Sequence, residues 1–258
     1  MKPMILLVED NKQLLEVLAD ELSEQYEIVK AQNGQQALSL LTNESIQLVI
    51  SDVMMPVMDG FELCKTIKSN FEYSHIPIIL LTAKNTLQSK IEGLGLGADA
   101  YIEKPFQMEY LQAQIASLLA NRRKLQDYFA HSPIVNLQSI AHTPSDANFL
   151  EKLNEVIQAN LDDQDLDVDK LTRLMNMGRT SLFTKIKSLT DLTPNELINI
   201  TRLKKAAELL AQDNYRIYEV SDLVGYSSQT IFGRNFFKQF GMTPKEYQKS
   251  KHADKPKL

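Results

Sequence analysis

The stretch Met4-Ile5-Leu6-Leu7-Val8-Glu9-Asp10 decides the fold. Five apolar residues make a buried strand and are too few for an amphipathic helix, and two carboxylates follow at once. The pattern recurs down the chain. Leu48–Ser51 runs into Asp52, Ile78–Thr82 ends on a hydroxyl, and Ala100–Glu103 runs into Lys104-Pro105. With Ile28–Ala31 these make five candidate strands. Between and after them lie segments of helical period: Lys12–Ser23, Gln35–Thr42, Phe61–Ser69, Thr86–Gly95 and Gln107–Ala120. Strand–helix alternation of this kind predicts an α/β doubly wound, five-stranded parallel sheet.

Ligands of such sheets bind outside the carboxyl ends of the strands, so the residues standing there matter most. They are Glu9 and Asp10, Asp52, Thr82 and Lys104. Taken singly, each is an ordinary cap, turn or surface residue; convergence on one edge is what argues for a site. Three carboxylates together repel one another and do not all ionise unaided. A hard divalent cation resolves the repulsion, and Mg²⁺ suits few carboxylates, several waters and a phosphate. Lys104 adds a positive charge and Thr82 a hydroxyl donor for phosphoryl oxygens.

On these residues the first 120 or so positions resemble the receiver domain of two-component response regulators, a flavodoxin-like fold. The resemblance implies that Asp52 is the phosphoacceptor and that Glu9 and Asp10 are the acidic pair. It implies Mg²⁺ ligation by Asp10, Asp52 and the backbone carbonyl of Met54, beside Glu9. Thr82, Tyr101 and Lys104 would form the switch. Cys64 lies mid-helix and reads as core packing.

Composition agrees with a two-domain chain. The 258 residues are 43% hydrophobic and 24% charged, which is ordinary for a globular protein. A single cysteine excludes a disulfide framework and a multi-cysteine zinc site. The longest apolar runs fall far short of a membrane span, and the N-terminus carries no secretory signal, so a cytoplasmic protein is expected. The net charge of −5 is unevenly spread. Residues 1–146 hold 11 basic against 18 acidic side chains, whereas residues 170–258 hold 16 against 8. An acidic front and a basic back predict different partners for the two halves.

The expected divisions are 1–128, a linker at 129–148, a second domain at 149–250 and a tail at 251–258. The last helix of the first part should continue to about Tyr128, with Arg122-Arg123-Lys124 as a basic final turn that offsets its dipole. Ser132-Pro133 and Thr143-Pro144 then break periodicity.

The back half has no strand pattern and repeats itself at an offset of 50. Asp191-Leu192-Thr193-Pro194-Asn195-Glu196-Leu197 aligns with Gly241-Met242-Thr243-Pro244-Lys245-Glu246-Tyr247. Each unit reads as a short helix, a tight turn, a second helix and a Thr-Pro helix start. The second helices bury Leu182, Ile186 and Leu189, and Phe232 and Phe236. Arg179, Thr180, Phe183, Thr184 and Lys187 then face outward in one, and Gln229, Thr230, Gly233, Arg234 and Lys238 in the other. Gln and Arg can read base edges, Lys can pair with phosphate, and Gly233 permits close backbone approach. A spacer helix over Asn195–Gln212, roughly 27 Å long, would hold two reading helices near one DNA turn apart, about 34 Å.

Gly225-Tyr226-Ser227-Ser228-Gln229 through Phe236-Phe237-Lys238-Gln239-Phe240-Gly241-Met242-Thr243-Pro244 resembles the AraC-type DNA-binding domain. Thr184 stands where many relatives carry arginine, and Gly178 replaces the usual serine cap. The combination resembles a response-regulator transcription factor, and more closely the C-terminal portion of hybrid two-component systems of gut anaerobes. The resemblance implies a histidine kinase as phosphodonor, a homodimer on phosphorylation, and double-stranded DNA with repeated half-sites. Two other classes fit less of the chain: a phosphorelay or phosphate-sink protein, and a phosphorylation-independent DNA binder with a vestigial receiver. An ordinary enzyme is not expected. The chain shows no nucleophile–base pair or dinucleotide glycine fingerprint, so its chemistry would be limited to self-phosphorylation and slow autodephosphorylation.

Overall fold

A computed structural model describes residues 2–83, 96–131, 141, 143–212 and 214–253. The expected helix Thr86–Gly95 lies outside them. They form two compact units. One comprises residues up to Leu125 together with 143–147, and the other the remaining described residues.

The first unit runs β1 (Met4–Val8), α1 (Lys12–Ser23), β2 (Glu27–Ala31), α2 (Gly34–Leu41), β3 (Leu48–Asp52), α3 (Gly60–Ser69), β4 (Ile78–Ala83), β5 (Ala100–Lys104) and α4 (Met108–His131). The strands form one parallel sheet of order β2-β1-β3-β4-β5. The inner strands β1, β3 and β4 bury both faces, and alternate residues feed two cores, while the edge strands β2 and β5 are only partly covered. Ile5, Leu7, Leu48, Ile50, Ile79, Leu81 and Ile102 pack with Leu15, Leu18 and Leu22 of α1 and Leu111 and Ile115 of α4. Leu6, Val8, Val49, Ile78 and Leu80 pack on the other face with Ala37 and Leu41 of α2 and Leu63, Cys64 and Ile67 of α3. Local chemistry starts the helices. Asn11 accepts from the amides of Gln13 and Leu14, Asn33 from that of Gln36, and Asp59 from that of Glu62.

The chain crosses from β2 back over β1 to β3, so the topological switch point lies between β1 and β3. That crevice is where a doubly wound sheet binds its ligand.

A charged cluster at the opposite end of the sheet went unread in the sequence. Asp99, just before β5, accepts from Lys68 Nζ of α3 at 2.6 Å and from the Ile78 amide at 2.9 Å, and pairs with Arg122 of α4 at 3.4 Å. Lys68 is only 6% exposed in its side chain and donates also to the Ile76 carbonyl. Arg122 therefore does not form the basic final turn that its sequence context suggested. The helix runs on past it to His131, and its guanidinium is spent on Asp99.

The second unit is helical: α5 (Pro144–Gln158, whose first turn belongs to the first unit), α6 (Val168–Met175), α7 (Arg179–Thr190), α8 (Pro194–Ala211), α9 (Ile217–Leu223), α10 (Gln229–Phe240) and α11 (Pro244–Ala253). α5 begins inside the segment read as linker, because Thr143-Pro144 is a start rather than a break. The Thr143 hydroxyl accepts from the Asp146 amide at 3.0 Å, with proline in the first turn. Thr193 and Thr243 begin α8 and α11 in the same way, each inside a capping box with Glu196 or Glu246. The core joins Leu203, Ala206 and Leu210 of α8 to Val220, Val224, Phe232 and Phe236, and Tyr247 closes an aromatic row against Phe236 and Phe240.

Candidate functional site

Strand register assembles the first site. Val8 pairs with Ser51, so Glu9 and Asp52 emerge side by side at the switch point. Glu9, Asp10 and Asp52 each present a carboxylate oxygen, all within 4.8 Å of one another. Glu9 is 2% exposed and Asp52 8%, while Asp10 opens to solvent. Lys104, beyond the end of β5's apolar stretch, reaches across to Glu9 Oε2 at 2.7 Å and Asp52 Oδ1 at 3.0 Å. Burial pushes the Glu9 carboxyl above its ordinary range, against the pull of the Lys104 ammonium, and the nearby Asp52 charge adds to the rise.

The turn after Asp52 is held close. The Gly60 amide donates to the Val53 carbonyl at 2.9 Å, and a Cβ on Gly60 would lie 2.2 Å from the Asp52 carbonyl oxygen. Only glycine lets α3 start that near the strand end. Met54 lies in this turn and is 73% exposed. Val57, also in the turn, adopts φ 72°.

The donor set is all oxygen and mostly anionic, which fits a hard divalent cation; nothing in it suits a soft metal. Thr82 follows Leu81, the residue paired with Asp52 on the neighbouring strand. Thr82 is partly buried at the end of β4 and donates to the Ala83 carbonyl at 3.3 Å. Tyr101 lies three residues before Lys104, paired with Leu80 and packed against the α2–α3 side of the core.

The second candidate site is the pair of helix-turn-helix units. In the first, α6 ends on Asn176 in the left-handed region (φ 53°) and Gly178 opens α7 without a side-chain cap. In the second, Gly225 (φ 73°) makes the turn and Ser228 caps α10 by accepting from the Ile231 amide. Leu182, Ile186, Leu189, Phe232 and Phe236 are buried, as their spacing predicts. Arg179, Thr180 and Phe183 are exposed on α7, with Thr184 partly so; Gln229, Thr230, Arg234 and Lys238 are exposed on α10. A Cβ on Gly233 would meet nothing within 4 Å, so the face is open there. Phe237, 53% exposed, falls on the same stripe as Gln229 and Gly233, two turns on from the first and one from the second. Its sequence context assigned it to neither face. Arg179 and Lys187 are engaged with Asp169 and Asp191.

Residues 5–116 match the family profile described as "Response regulator receiver domain", and residues 171–250 one described as "Helix-turn-helix domain". Over 191 residues the chain is 33% identical to the response regulator GtcR of Aneurinibacillus migulanus, covering 72% of this chain and 75% of that protein. The chain belongs to the response regulators. Its second unit carries the AraC-type pair of helix-turn-helices. This response regulator is also similar to a protein named histidine kinase P4 of Formosa agariphila, 39% identical over 247 residues. That match takes in 96% of this chain but 18% of the relative's length. Among solved structures, the receiver domain of a signal transduction histidine kinase from Syntrophus aciditrophicus is 36% identical, with a TM-score of 0.45, covering 46% of this chain and 91% of that one. Among the described residues no helix is long and apolar enough to cross a membrane.

Proposed function

We propose that this response regulator is a phosphorylation-controlled transcription regulator of the cytoplasm, with Asp52 as phosphoacceptor and α7 and α10 as DNA-reading helices. One observation carries the proposal. A buried, lysine-paired carboxylate set at the sheet's switch point shares a chain with two exposed reading helices on a basic unit. The division of labour follows the limits read from the sequence, with DNA contacts confined to 149–250.

A histidine kinase, on a separate chain or preceding this segment on a longer one, supplies a phosphohistidine. An Asp52 carboxylate oxygen attacks the phosphorus, the P–N bond breaks, and the imidazole leaves as the neutral ring after taking a proton. Asp10, Asp52 and the Met54 carbonyl, beside Glu9, would hold Mg²⁺, which offsets charge on the phosphoryl oxygens. Lys104 exchanges part of its pairing with Asp52 for a phosphoryl oxygen, and Thr82 offers its hydroxyl. The added charge of about −1.5 to −2 reorganises the side chains around Lys104, Thr82 and Tyr101. Two copies then associate and set their reading helices on repeated half-sites of double-stranded DNA. Binding two linked sites gains from effective concentration, so dimerisation raises affinity without a new base contact.

The test is DNA affinity and oligomeric state with and without a small-molecule phosphodonor or beryllium fluoride. The expected result is monomer to dimer and tighter binding, both lost in Asp52→Asn, with sequence-specific binding lost in Arg234→Ala. A rise in affinity that survives Asp52→Asn would remove Asp52 from the switch. Phosphorylation without any specific DNA binding would favour a phosphate sink.

A further inference from the structure

The two helix-turn-helix units repeat in sequence, yet their reading helices are electrostatically unequal. On α7, Arg179 is ion-paired with Asp169 in the first turn of α6. Lys187 pairs with Asp191 at 2.8 Å and donates to its carbonyl as well. On α10, Arg234 and Lys238 are exposed and enter no ion pair among the described residues. The repeat places Gln229 and Phe237 fifty residues on from Arg179 and Lys187, so the cations of α10 stand at other positions, and the carboxylates differ as well. Fifty residues on from Asp191 stands Gly241, which caps α10 with no charge. Fifty on from Asp169 stands Glu219, whose carboxylate is already engaged by the Arg216 amide at 2.7 Å. The first unit thus holds two carboxylates in ion pairs with its reading cations, whereas no ion pair engages those of the second among the described residues. Lys238 shares only the longer-range field of Glu196, as Lys187 does.

We infer that Asp169 and Asp191 set the share of DNA affinity that each reading helix supplies. They hold the cations of α7 in internal pairs, so α10 carries most of the salt-dependent phosphate binding. α7 engages only by exchanging a carboxylate for DNA. Asp169 and Asp191 are positioning residues that act through Arg179 and Lys187, and they bias which half-site is bound first. The inference rests on the DNA-binding reading given above.

The physics bounds the effect. Both pairs are solvent-exposed, with Asp169 62% and Arg179 66% exposed in their side chains. Releasing either cation is therefore a modest change in affinity, about two- to five-fold. Its signature is in the salt dependence. Each cation freed to neutralise a phosphate steepens the slope of log K against log salt by about 0.9.

The test uses the full chain, a duplex recovered by in vitro selection from a random library, and a random-sequence duplex, titrated at several KCl concentrations. Asp169→Asn should tighten binding by about two- to five-fold and steepen the slope by about 0.9. Asp191→Asn should do the same, since asparagine tolerates the left-handed φ of 58° at that position. The two changes should add. Glu44→Gln, an exposed carboxylate of the first unit, controls for net charge and should leave the slope unchanged. Unchanged slopes in both aspartate variants, with circular dichroism intact, would overturn the inference while leaving DNA binding in place. A fall in affinity would also overturn it, because the carboxylates would then be orienting α7 for base contact. Failure of the unaltered chain to bind either duplex would overturn the DNA-binding reading and this inference together.

Discussion

Replacing Gly60 by alanine puts a methyl where the chain leaves least room. Its Cβ would lie 2.2 Å from the Asp52 carbonyl oxygen, 2.9 Å from the Val53 Cα and 3.0 Å from the Asp52 carbonyl carbon. All three are backbone atoms, so no rotamer change relieves the contact. Opening the shortest of them to ordinary contact moves the Asp52 backbone, or the start of α3, by roughly 1 Å. Forcing a methyl into a packed site costs about 1–3 kcal/mol, which should lower the unfolding midpoint of the first unit. Asp52 is also the group held 3.0 Å from Lys104. A displacement of about 1 Å in a reacting group costs on the order of 10²-fold in rate. Labelling of the chain by acetyl phosphate, followed as the fraction of phosphoprotein against time, should slow by about 10- to 100-fold. Gly241→Ala is the matched control: φ is 70° but a Cβ there meets nothing within 4 Å. It should cost about 1 kcal/mol of stability and leave labelling unchanged. Wild-type labelling and an unchanged midpoint in Gly60→Ala would refute the claim that this glycine sets the position of Asp52.

Asp99→Ala leaves the buried Lys68 ammonium without its carboxylate and should cost about 3–5 kcal/mol, read by chemical denaturation; a loss under 1 kcal/mol would contradict the geometry. Gly225→Ala combines a φ of 73° with a Cβ 2.2 Å from the Leu161 carbonyl oxygen. It should destabilise the helical unit by about 2–4 kcal/mol and abolish DNA binding at physiological temperature. The Glu196 carboxyl is held below its ordinary range, first by the Thr193 amide and then by the Thr193 hydroxyl. A lowered folded value means that its contribution is fully present above the unfolded carboxylate range. It is lost as pH falls through the folded value. Helical circular dichroism followed into acid should therefore fall less steeply for Glu196→Gln than for the parent, and identical titrations would remove the capping box from acid sensitivity.

Most of the first unit was legible because buried strands and amphipathic helices have distinct periods. β1 matches its sequence-derived limits, and β3, β4 and β5 differ by one residue at the carboxyl end. Those extra residues, Asp52, Ala83 and Lys104, are polar or small. Hydropathy ends a strand sooner than the hydrogen-bond ladder does. The carboxylate cluster was legible because a parallel sheet sends every strand end to one edge. The Asp99 cluster was not. Its members are separated by 31 and 23 residues, and no periodicity links a loop aspartate to lysine and arginine on two helices. Thr143-Pro144 was misread for a different reason. Proline breaks a helix from within but starts one from its first turn, and only the Thr143 cap distinguishes the two. Phe237 was missed because hydrophobicity alone cannot tell a core phenylalanine from one facing outward on the next helical row.

The placement of Asp99 and Lys104 gives β5 a mechanical property. A paired strand is nearly inextensible, and this one spans about 17 Å from end to end. One end is pinned through Lys104 to Glu9 and Asp52, the other through Asp99 to α3 and α4. β5 is thus a tie-rod with a charged bolt at each end. A new charge at Asp52 that pulls on Lys104 loads the rod, and the load arrives at Arg122 on the helix that leads out of the unit. Amide exchange in α4 around Arg122 should change on phosphorylation and should stop responding when Asp99 is removed. Were both proteins to respond alike, the rod would bear no load.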